Sequence, residues 1–260
     1  MALAIHYTDV GACRSILEHG RVWLTDIRYL NDEHEYVNGE NFIRQIFAAR
    51  ALADGSDGKS AVEFFEDCVK SGRDRSYTFV GSFSNRSDSL SQWRSYCPKS
   101  GGVALEFDES AISMKLHKCL YEDAEKAADA NSLYDLCLKT FRLHGDKWKL
   151  FGTVWSNIAK FKHNAFVDEA ERRVLIFQRR DQAATSKRLR FRTRENLAIP
   201  YMEFEVDLKG LRAIRVGPCA YPDLARTSLR NLVDALAFDS SHAFHANKPS
   251  VEVSAVPYRA

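Results

Sequence analysis

Two carboxylates two residues apart, Glu169 and Glu171, precede the apolar run Val174-Leu175-Ile176-Phe177, and their type and spacing bear most directly on chemistry. In an extended segment residues i and i+2 face the same side, so both acids would point at one surface. A carboxylate in a cleft can hydrogen-bond a sugar hydroxyl and stabilise positive charge developing at an anomeric carbon, as glycosidic cleavage requires. The pair also reads as a solvated charge cluster, because Arg172 and Arg173 follow it directly. Two further polar sets stand at strand ends: His6-Tyr7-Thr8 after a short apolar run, and Ser82-Phe83-Ser84 after the β-rich residues 77–80.

Residues 82–108 combine several local signals. After the serines, Asp88 or Ser89 can cap a short helix in which Leu90, Trp93 and Cys97 recur at near-helical spacing, with Gln92 and Tyr96 on neighbouring positions. Pro98 stops that helix, and Gly101-Gly102 permits tight backbone approach before a strand over 103–107. Strand, polar turn, aromatic helix and glycine turn make the wall of a ligand pocket or, equally, a buried unit whose Trp93 and Tyr96 are core. Tyr7, Trp93 and Tyr96 are the rings available for stacking.

The rest of the chain supplies elements to position these groups. Residues 3–8 read as a strand, Asp9 as the cap of a helix with Val10, Cys13, Ile16 and Leu17 on its apolar stripe, and Gly20 as its left-handed terminator, followed by a strand over 21–25. Asn31 and Asp32 lie in a turn and either cap the helix over 33–53 or line a cleft. Residues 53–60 read as a loop without a phosphate-loop spacing, and 61–70 as another helix. A mostly helical insert spans about 109–161, and strands follow at 174–177, 201–206, 211–216 and 251–256, with a helix over 221–236. The mixture is α+β, in one domain over residues 1–260.

Composition narrows the function classes. The 260 residues, 45% hydrophobic, suffice for a substantial core, and no apolar run approaches the roughly 18 to 20 residues a membrane span needs. The first six residues lack the pattern of a signal peptide, so a cytoplasmic location without a membrane partner is expected. Six cysteines without a CxxC pair predict reduced thiols and no metal site. A net charge of +2 excludes little, but residues 172–194 hold nine arginines and lysines, Arg179 and Arg180 among them, and such a segment can meet the phosphates of a nucleic acid or form a solvated face.

HYT near the start, WLTDIRYLNDEHE over 23–35, SFS with a later Trp and Tyr, GVALEFD, ExER over 169–172 and a terminal SxxPYR together resemble domain of unknown function family 2971 (DUF2971) over nearly the whole chain. More loosely, the sequence is similar to ADP-ribosyltransferases, including branches that modify DNA and repair RNA. That second resemblance implies a split antiparallel or mixed sheet, from which the large helical insert is a departure, and NAD as the substrate. It implies that His6, with Tyr7 and Thr8, and Ser82 or Ser84 hold the dinucleotide. Glu171, with Glu169 two residues before it, then stabilises the oxocarbenium-like ribose as nicotinamide leaves. A toxin-like or phage-defence effector, acting on a nucleic acid or protein acceptor, follows by fold-level analogy only. A non-catalytic nucleic-acid-binding or interaction module is the competing class.

Overall fold

Asp9 separates the first strand from the first helix by meeting a need the helix cannot meet itself: its Oδ1 accepts from Ala12 N at 2.8 Å, while Gly20, at φ 64°, closes the far end. The computed structural model describes residues 2–30, 35–98, 100–143 and 147–257. In chain order these form β1 (Leu3–Thr8), α1 (Val10–His19), β2 (Arg21–Asp26), α2 (Glu35–Arg75), β3 (Ser76–Ser84), α3 (Leu90–Tyr96), β4 (Val103–Asp108), β5 (His117–Lys118), α4 (Asp123–Arg142) and α5 (Lys147–Ile158). The chain continues through β6 (Glu171–Arg179), α6 (Arg180–Thr185), β7 (Leu189–Arg194), β8 (Leu197–Glu205), β9 (Leu211–Val216), α7 (Pro222–Ala237) and β10 (Ser250–Val253). No helix among the described residues is long and apolar enough to cross a membrane.

The architecture is α+β, built on one mixed sheet ordered β10-β9-β4-β1-β3-β2-β8-β7, in which β9 and β10 run parallel. β6 pairs antiparallel with the whole of β3, from Ser76↔Arg179 to Ser84↔Glu171. The other edge of β3 is shared. β2 takes its first half, at Asp26↔Phe79 and Thr25↔Val80, and β1 meets it at Ile5↔Ser84. The sheet therefore divides over residues 81–83.

Strand alternation sends side chains to two cores. Ala4, Val22, Leu24, Phe79, Phe83 and Val174 pack with α1 and α7, whereas Val80 and Leu175 pack against α2, α4 and α5. A smaller cluster, Ile5, Tyr7, Trp93 and Ala104, seats α3 on β1 and β4.

The segment read as a loop over 53–60 is helical on both sides of a reversal at Gly55, whose φ of 59° and ψ of −126° suit only glycine. The two arms lie against each other: Arg44 Nε donates to Glu66 Oε1 at 2.7 Å, and the rings of Phe47 and Phe65 are 4.7 Å apart. Ala51 through Ser60 also lack the proline that would have forbidden a helix. At the end of the second arm the carbonyl of Arg73 accepts from Arg28 Nη1 and Arg180 Nη2, each at 3.0 Å. Sequence periodicity does not reveal β7, because arginines at 190, 192 and 194 suppress the apolar alternation of a half-buried strand.

Candidate functional site

The division of the sheet opens into a cleft of about 660 Å3, reached by residues from both faces. His6 and Thr8 share the face of Ala4; Trp23 and Thr25 lie opposite Val22 and Leu24. Val80 and Ser82 line the floor, and α1 contributes Ala12 and Ser15.

His6 is fixed by the split itself. Its Nδ1 lies 3.0 Å from the carbonyl of Ser82, in the stretch of β3 where β1 and β2 part. A carbonyl only accepts, so Nδ1 carries the proton. Burial lowers the His6 pKa below its ordinary 6.5, against the smaller opposing effect of the Ser82 bond. The ring is therefore neutral at pH 7, and its Nε2 lone pair is an acceptor for a hydroxyl donor.

Beside this wall lies a buried polar cluster. Lys162 Nζ is 2.6 Å from Glu169 Oε2 and 2.6 Å from Glu171 Oε2. Arg173 grips Glu171 through Nε at 2.8 Å and Nη2 at 2.9 Å, and donates Nη1 to the carbonyl of Ala159 at 2.7 Å. Tyr96 OH donates to Glu169 Oε2 at 3.0 Å, and Ser95 Oγ to Oε1 at 3.3 Å. Burial would push the Glu171 carboxyl up, but Arg173 and Lys162 outweigh it and hold the pKa down at about 2. Burial, reinforced by Glu171, raises the Tyr96 phenol well above 10, so it stays a donor.

The two acids converge, but not by strand alternation. Glu169 ends a 3-10 turn over Asn164–Glu169, Ala170 takes a left-handed φ of 44°, and β6 starts only at Glu171. The Ser84 hydroxyl and the Gln92 amide both hold the carbonyl of Glu169, at 2.8 and 2.9 Å, which pins this reversal.

The expected site residues divide accordingly. His6, Thr8, Ser82, Tyr96 and Glu169 line the cleft; Glu171, 1% exposed, stands behind it and orients Lys162 and Arg173, which do line it. Ser84 is buried in support of Glu169. Tyr7 and Trp93 belong to the core: their rings meet edge to face at 4.7 Å, Tyr7 OH donates to the Arg86 carbonyl, and Trp93 Nε1 donates to Asp88. Arg179 pairs with Asp181, and Arg180 spends its guanidinium on the Arg73 carbonyl, so neither lines the cleft. Asn31 and Asp32 lie outside the described residues.

Sequence reasoning missed Lys162, Trp23 and the separate position of Arg192. Lys162 sits in a turn with no periodicity to expose it. Arg192 was indistinguishable from its basic neighbours; its Nη2 donates to Thr25 Oγ1 at 3.1 Å and its guanidinium lies 5.8 Å from the Trp23 ring centre. Four cations (Arg21, Lys162, Arg173, Arg192) and two acids (Asp9, Glu169) line the cleft, an excess that favours anionic ligands.

No curated protein and no solved structure matches the chain. A family model matches residues 92–174, a shorter stretch than the motif series suggested, and this span contains Tyr96, Lys162, Glu169, Glu171 and Arg173. Over this segment, which carries the whole buried polar cluster, the chain matches the family described as "Protein of unknown function (DUF2971)".

Proposed function

We propose that this chain cleaves NAD, as an ADP-ribosyltransferase or NAD glycohydrolase, in the cleft where the sheet divides. The observation that carries the reading is the convergence, from separate strands and turns, of a hydroxyl-accepting imidazole at His6 and an ionic pocket at Glu169, Tyr96 and Lys162. A dinucleotide needs such groups from several elements, and the cationic excess suits its pyrophosphate.

In this mechanism the bond between the ribose anomeric carbon and the nicotinamide nitrogen breaks, and its electron pair leaves with nicotinamide. Glu169 stabilises the cationic ribose more than it stabilises the bound substrate. Water, or a nucleophile of a nucleic acid or protein acceptor, then attacks the anomeric carbon and releases its proton to solvent. Of the two acids, Glu169 takes this role because it faces the cleft, and Glu171 becomes a positioning residue that fixes Lys162 and Arg173. His6 accepts from a ribose hydroxyl.

One observation favours the second reading, a non-catalytic binding module: Lys162 already offsets the charge of Glu169, which weakens its pull on an oxocarbenium ion. Nicotinamide release from NAD by the purified chain, with and without total nucleic acid and lysate, separates the two. Turnover that falls at least about 100-fold in Glu169→Gln is expected for the enzyme. Wild type that binds NAD but never releases nicotinamide leaves the binding module.

A further inference from the structure

Arg192 is a half-buried cation with no carboxylate in direct contact, Asp9 across the cleft being the acid that acts on it through space. Arg21, on the same wall, is matched by Glu203 and Glu205, Arg173 by Glu171, and Lys162 by both glutamates. Among the described residues no carboxylate lies within ion-pair distance of Arg192, and its hydrogen bond is the one to the neutral Thr25 hydroxyl. Its Nε is shielded from solvent and meets no acceptor. Burial is also the main cause lowering its pKa, a sign that the charge is poorly solvated. Partly removing a cation from water without a carboxylate in contact costs free energy that a carboxylate or phosphate there would offset.

Position gives that cost a use. Arg192 lies on β7 at the register of Ile199, and its side chain crosses β8 to Thr25 and Trp23 on β2, at the opposite side of the cleft from His6 on β1. The guanidinium is held by the Thr25 hydroxyl with its carbon 5.8 Å from the Trp23 ring centre, and its donors form the fork that fits two oxygens of one phosphate.

The geometry points to Arg192 as the anchor of a phosphate subsite: the cleft takes a phosphate ester or anhydride, one of whose phosphoryl groups replaces the carboxylate that Arg192 lacks. This rests on the cleft being the ligand site, as in the reading above, but not on any reaction there. Two sources carry this chemistry, the pyrophosphate of a dinucleotide and the backbone of a nucleic-acid strand.

Calorimetric titration of the full chain with inorganic pyrophosphate, adenosine, NAD and a single-stranded oligothymidylate tests it. Wild type is expected to bind pyrophosphate. Arg192→Met should weaken that binding at least about tenfold, leave adenosine unchanged, and be partly rescued by Arg192→Lys, which keeps charge but not the fork. If the loss carries over to NAD and not to the oligonucleotide, the dinucleotide is the source; the reverse result assigns the acceptor strand. No pyrophosphate binding by wild type, or equal binding by Arg192→Met at an unchanged melting temperature, overturns the subsite. Phosphate binding that depends on Arg192 in a chain that never releases nicotinamide upholds the subsite and removes the transferase reading; nicotinamide release with the same KM in Arg192→Met does the opposite.

Discussion

Glu169 and Glu171 accept from one and the same ammonium, Lys162 Nζ, at 2.6 Å each, although only Glu171 belongs to a strand and a left-handed residue separates them. Two acids at this spacing thus meet at a point, both nearly buried at 3% and 1% exposed, and of the two Glu169 is the one that borders the cleft.

That asymmetry predicts opposite phenotypes for like substitutions. Glu171→Gln leaves Arg173 without its carboxylate, and Lys162 with Glu169 alone, in a place 1% exposed, and should cost about 3 to 5 kcal/mol of stability in a urea titration. Glu169→Gln keeps Glu171 as partner to Lys162, should cost less than half as much, and should remove turnover instead. Equal melting of Glu171→Gln and wild type would refute the assignment.

Acid should find the same cluster. The folded pKa of Glu171 is depressed to about 2 from an ordinary 4.5, so its stabilisation is fully present above pH 4.5 and is lost as pH falls toward 2. Unfolding free energy measured across that window should drop steeply in wild type and less in Glu171→Gln. An identical slope in both proteins would show that Glu171 does not carry it.

His6 adds a second, milder window. Its folded pKa lies below 6.5, so the unfolded chain binds the extra proton first, and stability should decline as pH falls below about 6.5. His6→Gln, which can still donate to the Ser82 carbonyl, should flatten this portion of the curve while weakening any ligand held through Nε2.

Gly72 on the second arm of α2 offers a packing test away from the cleft. A Cβ there would lie 1.8 Å from Trp155 Nε1, and that indole is rigid and 2% exposed. Gly72→Ala should destabilise by about 1 to 3 kcal/mol through overpacking without altering ligand affinity. A neutral or stabilised variant would mean that the helices slide apart at no cost.

Paired removal of Arg179 and Arg180 tests the basic run. Both spend their charge away from the cleft, on Asp181 and on the Arg73 carbonyl. Arg179→Ala with Arg180→Ala should leave the salt dependence of any nucleic-acid binding unchanged, whereas each lost phosphate contact would lower its slope by about one. A flattened slope would restore these arginines to the binding surface.

Much of the frame was legible because its signals are local. Asp9 and Gly20 bracket α1, Pro98 follows α3, and the apolar runs of β3, β4 and β9 announce strands. The DUF2971 resemblance is borne out over residues 92–174. What escaped was set by distance along the chain. Whether Ser84 opens onto a cleft or supports Glu169 depends on a turn 85 residues away, and the loneliness of Arg192 depends on which acids β8 gives to its neighbours. The reversal at Gly55 was hidden differently, since a glycine in a polar stretch signals a loop as readily as a helical hairpin.

The shared edge of β3 has a mechanical consequence. Two wings of the sheet, β10-β9-β4-β1 and β2-β8-β7, hang from β3 by short ladders, one position on the first side and two on the second, while β6 is zipped to it throughout. Beyond these ladders the wings are tied at one end, where Ile112 bridges Val206 and Asp207 N donates to the Ala111 carbonyl at 3.0 Å, and by the shared apolar core, so the gap at residues 81–83 is the least paired part of the sheet. A ligand touching His6 on one wing and Arg192 on the other would act as a strut across that gap. Amide protons of β2 should then exchange more slowly when the cleft is filled, even at positions the ligand never reaches.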